Sequence, residues 1–125
     1  MCSIYGAKNR TLFNILHDAT QERGVYAFSA AFLNHNKKKL SITRQLGHPK
    51  DIDKISNKSD DSMFLGHNQA PTSSAREYDK STSHPFVYHN WVVAHNGVLT
   101  NYKSINKKYC NWNTNPVDTS CIPNL

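Results

Sequence analysis

The first residue whose type and position could do chemistry is Cys2, directly behind Met1. Initiator methionine is commonly removed when the next residue is small, and Cys2 would then be the mature N-terminus. A cysteine thiol is a nucleophile. A free α-amine, with a reference pKa of about 7.7–8.0, can accept the thiol proton near neutral pH. One residue would supply both nucleophile and base. The alternative is an ordinary small strand residue, since buried cysteine is common.

A second candidate site is the sequence His95-Asn96-Gly97, which follows a predicted strand. A thiol that attacks an amide carbonyl creates an oxyanion, and each donor aimed at that charge is worth roughly 3–4 kcal/mol. The Asn96 side-chain amide and the Gly97 N–H are suitable donors, because glycine lets the backbone approach closely. The alternative is a plain turn, for which Asn-Gly is a common dipeptide.

A third candidate is the polar stretch over residues 66–74, which also follows a predicted strand. The hydroxyls of Thr72, Ser73 and Ser74 could donate hydrogen bonds to a carboxylate. An ordinary polar loop is the alternative.

Cysteine and histidine spacing argues against disulfides and metals. Cys2, Cys110 and Cys121 are odd in number and widely spaced, which is typical of a reducing compartment, and the cytoplasm is therefore expected. The sequence has no CxxC, HxxxH or HExxH grouping. We expect no metal and no cofactor.

Composition predicts one domain over residues 1–125, with 38% hydrophobic and 19% charged residues. No apolar run approaches the roughly 18 residues of a spanning helix, and the N-terminus lacks the pattern of a signal peptide. The net charge of +6 raises the possibility of a polyanionic partner. Its basic stretch, residues 37–58, lacks the interleaved aromatics of a single-strand binder, so a solvated surface loop is favoured over a phosphate-binding face.

The elements that would position these residues are short strands with few helices. Leu12, Ile15, Leu16 and Ala19 recur at helical spacing and predict a helix over 11–22, and Thr100 is expected to cap a second helix that contains Tyr102. A short helix is also predicted near 51–56. Strands are predicted over 2–5, 25–33, 40–43, 63–65, 86–88 and 91–94, with turns at 34–36 and 89–90. This pattern indicates an α+β domain built on antiparallel sheet.

Taken together in chain order, six short blocks of the sequence resemble one family. The blocks are residues 1–6 (MCSIYG), 23–24 (RG), 66–72 (GHNQAPT), 84–86 (HPF), 93–102 (VAHNGVLTNY) and 117–120 (VDTS). Over nearly its whole length the chain resembles the class II glutamine amidotransferase (glutaminase) domain of the N-terminal-nucleophile hydrolases. The resemblance implies a four-layer αββα sandwich of antiparallel sheets, with the active site between the sheets at one end. The chain is shorter than such domains, so we expect either a fragment truncated at the C-terminus or a minimal domain that covers the open sheet edge with a partner. A truncated sheet would leave an unpaired edge and exposed apolar surface.

The resemblance also implies an activity, the hydrolysis of L-glutamine to glutamate and ammonia. Cys2 would attack the side-chain amide to give a γ-glutamyl thioester, and its own α-amine would move the proton. Asn96 and the Gly97 N–H would form the oxyanion hole. Ammonia would pass to a synthetase or another acceptor enzyme as partner.

Five further residues fall at substrate-binding positions of the family, and one of them differs from the usual residue. Asp118 matches the aspartate that holds the substrate α-ammonium group, and Thr72 and Ser73 fall where the family contacts the α-carboxylate. Arg23 matches an arginine that lies close to the nucleophile. Gln69 departs from the pattern, because the family usually has arginine there, which grips a carboxylate with two charge-assisted bonds. Weaker glutamine binding, a shifted substrate or compensation by a nearby lysine is expected.

Three functions therefore compete. The leading hypothesis is a glutaminase, and the second is a non-catalytic relative that binds a ligand or a partner protein, which Gln69 favours. The third is a basic nucleic-acid-associated protein, motivated by the +6 charge. Nucleic acid is the least supported partner, because phosphate contacts alone explain only non-specific binding. No membrane partner is expected.

Overall fold

The computed structural model describes residues 1–55, 63–70 and 78–125. In these ranges the strands and long helices are, in chain order, β1 (Ser3–Ala7), α1 (Arg10–Thr20), β2 (Ala27–Asn34), β3 (Lys39–Leu46), β4 (Met63–Gln69), β5 (Phe86–Tyr88), β6 (Trp91–Val93) and α2 (Tyr102–Tyr109). Short 3-10 helices are η1 (Gln21–Arg23), η2 (Ile52–Lys54), η3 (Lys80–Thr82) and η4 (Asp118–Asn124). The predicted α+β class is confirmed. No helix in the described ranges has the length and apolar character needed to cross a bilayer.

The main sheet has four antiparallel strands in the order β1-β4-β2-β3. β2 and β3 form the predicted hairpin, with Leu33 opposite Leu40. β4 lies between β1 and β2, so that Asn68 pairs with both Ser3 and Phe28. β5 and β6 form a separate two-stranded antiparallel sheet, joined at the predicted turn. Both predicted hairpins are therefore confirmed.

The aromatic core lies between α1 and the four-stranded sheet. Phe13 of α1 is 1% exposed and contacts rings from three strands. Its ring centroid lies 5.2 Å from that of Tyr5, 5.8 Å from Phe32 and 5.4 Å from Phe64. Because these large side chains come from α1 and from β1, β2 and β4, their burial packs the helix against the sheet. One of these strands, β1, begins next to Cys2.

Helix α1 is confirmed, but its buried face is not the predicted apolar stripe. Its buried residues are Phe13 and His17. Leu12 and Ile15 are 43% and 58% exposed. The face of the helix that carries His17 packs against the sheet, where the imidazole has a hydrogen-bond partner. Its Nδ1 lies 2.8 Å from the Tyr5 hydroxyl. A hydrophobicity pattern treats that histidine as a solvent-facing residue.

Three strands run further than predicted. β1 does not stop at Gly6 but continues to Ala7, β3 continues past Thr43 to Leu46, and β4 continues past Leu65 to Gln69. The polar end of β4 stays in the sheet because strands on both sides satisfy its backbone groups. The extension matters for function, since it carries Gln69 to the end of the sheet where the chain begins.

Two other sequence predictions need correction or lie outside the described residues. Thr100 does not cap α2, because the N-cap is Asn101 and no side chain caps that helix. The predicted helix near 51–56 is the 3-10 helix η2, and its last residue, Ser56, lies outside the described ranges. Thr72 and Ser73 also lie outside them.

A large apolar groove of about 1090 Å³ lies at the other end of the sheet from the chain start. Leu33, Leu40 and Met63 line it together with Trp91, whose side chain is 68% exposed. Apolar surface is therefore left open on this molecule.

Candidate functional site

A cavity of about 490 Å³ lies where the chain start, the end of β4, the loop after β6 and the first turn of η4 meet. The residues predicted for the site that line this cavity are Cys2, Gln69, Asn96, Gly97 and Asp118. They come from four separate parts of the sequence. The fold therefore brings together the nucleophile, both oxyanion-hole candidates and two of the substrate-binding candidates.

The register of β1 and β4 places Cys2. Because Ser3 is opposite Asn68, Cys2 lies beside Gln69 and Ala70 at the end of the ladder. The Ala70 N–H donates to the Cys2 Sγ at 3.4 Å. The thiol is half-buried, whereas Cys110 and Cys121 are fully buried.

The loop after β6 is tied to the chain start by Asn96. Its Nδ2 donates to the Cys2 carbonyl oxygen at 3.1 Å, although the Asn96 side chain is exposed. Gly97 has no room for a side chain, since a Cβ there would lie 2.6 Å from the His95 Nε2. The His95 ring therefore occupies the space that a side chain at position 97 would take. The Gly97 backbone lines the cavity without a side chain to cover it.

The Asp118 carboxylate is held by backbone groups. Oδ2 accepts from the Leu99 N–H at 2.5 Å, and Oδ1 accepts from the Thr119 N–H at 2.8 Å. The Thr119 hydroxyl lies 3.2 Å from the His95 Nδ1, which links this aspartate to the loop that carries Gly97. Asp118 is half-buried, so its negative charge is available to a cation in the cavity.

Two histidines with tilted rings are in contact at the cavity wall. His84 lines the cavity, and its ring centroid lies 4.3 Å from that of His67. His67 is 1% exposed. Its burial, and then the neighbouring His84 imidazole, lower the pKa of His67 to about 3. His67 is therefore neutral at physiological pH and acts in packing.

Arg23 is not brought to the cavity. It is exposed at the end of η1 and does not line the cavity. The neighbouring Gly24 is the residue that packs closely against β4. A Cβ at this position would lie 2.3 Å from the Asn68 carbonyl oxygen. The Tyr26 N–H donates to the Gln69 carbonyl oxygen at 2.9 Å. This segment therefore supports the end of β4 through its backbone.

Sequence reasoning missed the backbone donors of the site. The N–H groups of Ala70 and Leu99, which contact Cys2 and Asp118, leave no mark in residue type. The register of β1 against β4 could have revealed Ala70, had β4 been predicted at its full length. His84 was part of a matching block, but nothing in its type predicted the contact with His67.

The described residues offer no obvious metal centre. Among residues 1–55, 63–70 and 78–125, no three His, Cys, Asp or Glu side chains gather as possible ligands. Among the described residues, the polar side chains that line the cavity are the Cys2 thiol, the amides of Gln69 and Asn96, the imidazoles of His84 and His95, the hydroxyls of Tyr102 and Thr119, and the Asp118 carboxylate. No protein-family model matches the sequence. A comparison with curated proteins likewise gives no significant match.

Proposed function

We propose that this protein is a class II glutamine amidotransferase-type glutaminase, which hydrolyses a glutamine side-chain amide to a carboxylate and ammonia. The observation that carries the proposal is the meeting of Cys2, Asn96, Gly97 and Asp118 at one cavity, although up to 116 residues separate them in the sequence. A thiol alone is a common core residue, and Asn-Gly alone is a common turn. A half-buried thiol with amide donors and an anion beside it is a coherent amide-hydrolysis site.

The reaction has two halves. In the first, the Cys2 sulfur forms a bond to the amide carbon while the α-amine takes the thiol proton. The C–N bond then breaks, and ammonia leaves with that proton. In the second half, water attacks the thioester and returns the thiol. The oxyanion of each half would be met by the Asn96 amide and the Gly97 N–H.

Removal of Met1 is a required step, because the α-amine of Cys2 is locked in a peptide bond while Met1 is present. Met1 is 84% exposed, so an aminopeptidase can reach it. The ammonia that is released would pass to a separate acceptor enzyme.

The proposal also implies that the two sheets face one another as the inner layers of an αββα sandwich. A line of rings supports this arrangement. Phe86 of β5 has its ring centroid 5.1 Å from that of His84, whose ring contacts that of His67 of β4 in turn. The Arg44 guanidinium of β3 donates to the Ser83 carbonyl at 3.0 Å and the Pro85 carbonyl at 2.5 Å, just before β5.

Labelling tests the proposal directly. The purified protein is treated with a glutamine-analogue diazoketone, and the adduct is mapped by mass spectrometry. We expect one adduct on Cys2 in chains that lack Met1. Cys110 and Cys121 are internal controls, because both are fully buried. Cys2→Ala should abolish both labelling and ammonia release from glutamine. Ammonia release by a protein that retains Met1, or by Cys2→Ala, would contradict the mechanism.

A binding protein without catalysis is the second candidate, and Gln69 favours it. This neutral residue, 8% exposed, lines the cavity where the family has an arginine. Calorimetric binding of a glutamine compound without ammonia release would support this candidate over the enzyme.

A further inference from the structure

We infer that Asn96 is a site of self-modification, at which the Gly97 backbone nitrogen displaces the side-chain amide and the His95 imidazole is the base. The reaction leaves aspartate or isoaspartate at position 96 and releases ammonia. The inference goes beyond the proposed function and does not depend on it, because the attacking atom belongs to the backbone and not to the Cys2 thiol.

The pair Asn96 and Gly97 is open to this reaction. Both residues are exposed, and they lie between β6 and α2, outside any helix or strand. Asparagine is one of the thermolabile residues of proteins. Because glycine has no Cβ, its backbone nitrogen is not shielded from the side chain that precedes it. This is the one Asn-Gly pair in the sequence.

The His95 ring lies against the backbone that would attack. A Cβ on Gly97 would lie 2.6 Å from the His95 Nε2 and 2.9 Å from its Cε1. The edge of the ring that carries Nε2 therefore faces the Gly97 backbone. A base must reach the proton that it takes, either directly or through one water, and Nε2 is placed for that.

The hydrogen bonds on the other side of the ring leave Nε2 unprotonated. The Thr119 hydroxyl lies 3.2 Å from the His95 Nδ1 and donates to the Asp118 Oδ1 at 3.3 Å. A hydroxyl has one proton to donate, so the Thr119 oxygen accepts from Nδ1–H. In a neutral imidazole the other nitrogen then carries the free lone pair.

The reaction has two steps. The His95 Nε2 takes the proton of the Gly97 N–H while that nitrogen bonds to the Asn96 Cγ. The bond from Cγ to Nδ2 breaks, and Nδ2 leaves as ammonia with that proton. Water then opens the five-membered imide at one of its two carbonyls, which gives aspartate or isoaspartate. Water has access because both residues are exposed.

The modification changes a contact of the chain start. In the unmodified protein the Asn96 Nδ2 donates to the Cys2 carbonyl oxygen at 3.1 Å, and this hydrogen bond must break before the amide can leave. Afterwards a carboxylate stands where the donor was. It cannot donate to the Cys2 carbonyl, and it cannot donate to an oxyanion in the cavity.

The test follows single asparagines in the purified protein during incubation at mildly alkaline pH. Peptide mapping by mass spectrometry measures aspartate and isoaspartate at each position. Asn36 and Asn90 are internal controls, because each is exposed in a turn and follows a histidine, as Asn96 does, but neither precedes a glycine. We expect Asn96 to convert at least about tenfold faster than either control.

Replacement of the imidazole tests the base. His95→Gln should lower the rate at Asn96 at least about tenfold and leave Asn36 and Asn90 unchanged. His89→Gln, which changes the residue before Asn90 in an exposed turn, is the matched control and should leave the rate at Asn96 unchanged. Circular dichroism checks the fold of each variant.

A second variant is available in case His95→Gln does not fold. Thr119→Val keeps the size of the side chain and removes the hydroxyl that fixes the proton on Nδ1. It should lower the rate at Asn96 at least about threefold.

Three results would overturn the inference. These are conversion at Asn96 no faster than at Asn36 or Asn90, an unchanged rate in folded His95→Gln, and loss of the modification in Cys2→Ala, which keeps the backbone carbonyl and removes only the thiol. Fast conversion at Asn96 in a protein that releases no ammonia from glutamine would support the inference and contradict the proposed function alone.

Discussion

The Asn96 side chain donates from Nδ2 to the carbonyl oxygen of Cys2 at 3.1 Å, across 94 residues of sequence. A primary amide carries two N–H donors. One of them binds the chain start, and the same side chain lines the cavity. The residue proposed to stabilise the oxyanion therefore also contacts the backbone of the proposed nucleophile.

Replacement of this amide by a carboxylate tests that double role. Asn96→Asp removes both donors and points an anion at the Cys2 carbonyl and at the developing oxyanion. We expect ammonia release to fall about 10²–10³-fold. The fold should be kept, since the Asn96 side chain is exposed. Asn90→Asp, the same change in the exposed β5–β6 turn, is the matched control for charge. A variant with a tenth or more of the original activity would contradict the assignment.

Asp118→Asn tests the backbone anchoring of the carboxylate. The Leu99 and Thr119 N–H groups donate to different oxygens of Asp118, and an asparagine replaces one of these oxygens by an NH₂ group, so one N–H would face a donor. We expect the free energy of unfolding to fall by about 1–3 kcal/mol, measured by urea denaturation at pH 7.5. Asp18→Asn on the exposed side of α1 is the control. Equal stability of the two variants would show that these hydrogen bonds contribute little.

Gly24→Ala tests the contact between η1 and β4. The added Cβ would lie 2.3 Å from the Asn68 carbonyl oxygen and 2.8 Å from the Gln69 carbonyl carbon, both backbone atoms that cannot swing aside. We expect a loss of about 3 kcal/mol or more in unfolding free energy, together with a disturbed cavity. Gly6→Ala is the control, because its Cβ would meet the Phe64 carbonyl oxygen at an ordinary 3.4 Å. Similar urea midpoints for both variants would argue against close packing at Gly24.

The buried His67 predicts how stability depends on pH. Its pKa of about 3 in the folded protein lies below the value of about 6.5 in an unfolded chain. Between these values the unfolded chain binds more protons, so stability falls as the pH is lowered, by about 1.4 kcal/mol per pH unit. Burial also lowers the pKa of His17, which adds in the same direction.

Urea denaturation at pH 7 and pH 5 measures this dependence. From His67 alone we expect a loss of about 2 kcal/mol between the two values. His67→Phe should reduce the loss, because it removes the titrating group and keeps a ring against His84. His89→Asn, in the exposed turn, should leave the loss unchanged. Equal pH dependence in His67→Phe and the unmodified protein would rule out the buried imidazole as its cause.

Elements that are determined by local sequence patterns could be predicted from the sequence. The β2–β3 and β5–β6 hairpins were placed because their turns and β-branched runs are short-range signals. The polar end of β4 was missed, since His67, Asn68 and Gln69 are read as a loop until strands on both sides pair with them. The inner face of α1 was missed for a related reason: the partner of His17 is a tyrosine twelve residues away.

Several side chains that meet at the cavity were named from the sequence, but the backbone groups beside them were not. Cys2, Asn96, Gly97 and Asp118 carry chemistry in their residue types, and the motif order indicated that they would meet. The donors at Ala70 and Leu99 depend on how strands and loops align in three dimensions. Arg23 shows the opposite case, a charged residue that matches a motif and lies on the surface, while the adjacent glycine makes the close contact.

The strand register also sets where this chain can change in length. Cys2 lies opposite Gln69 because Ser3 pairs with Asn68, so one residue inserted in β1 would shift its register against β4 and turn the side chains on one side of the insertion to the other face of the sheet. The turn between β2 and β3 lies at the far end of the same sheet, next to the pair Asn34 and Lys39. Insertions and deletions at that turn should be tolerated. β1 and β4, which set Cys2 opposite Gln69, should keep a fixed length across any set of relatives.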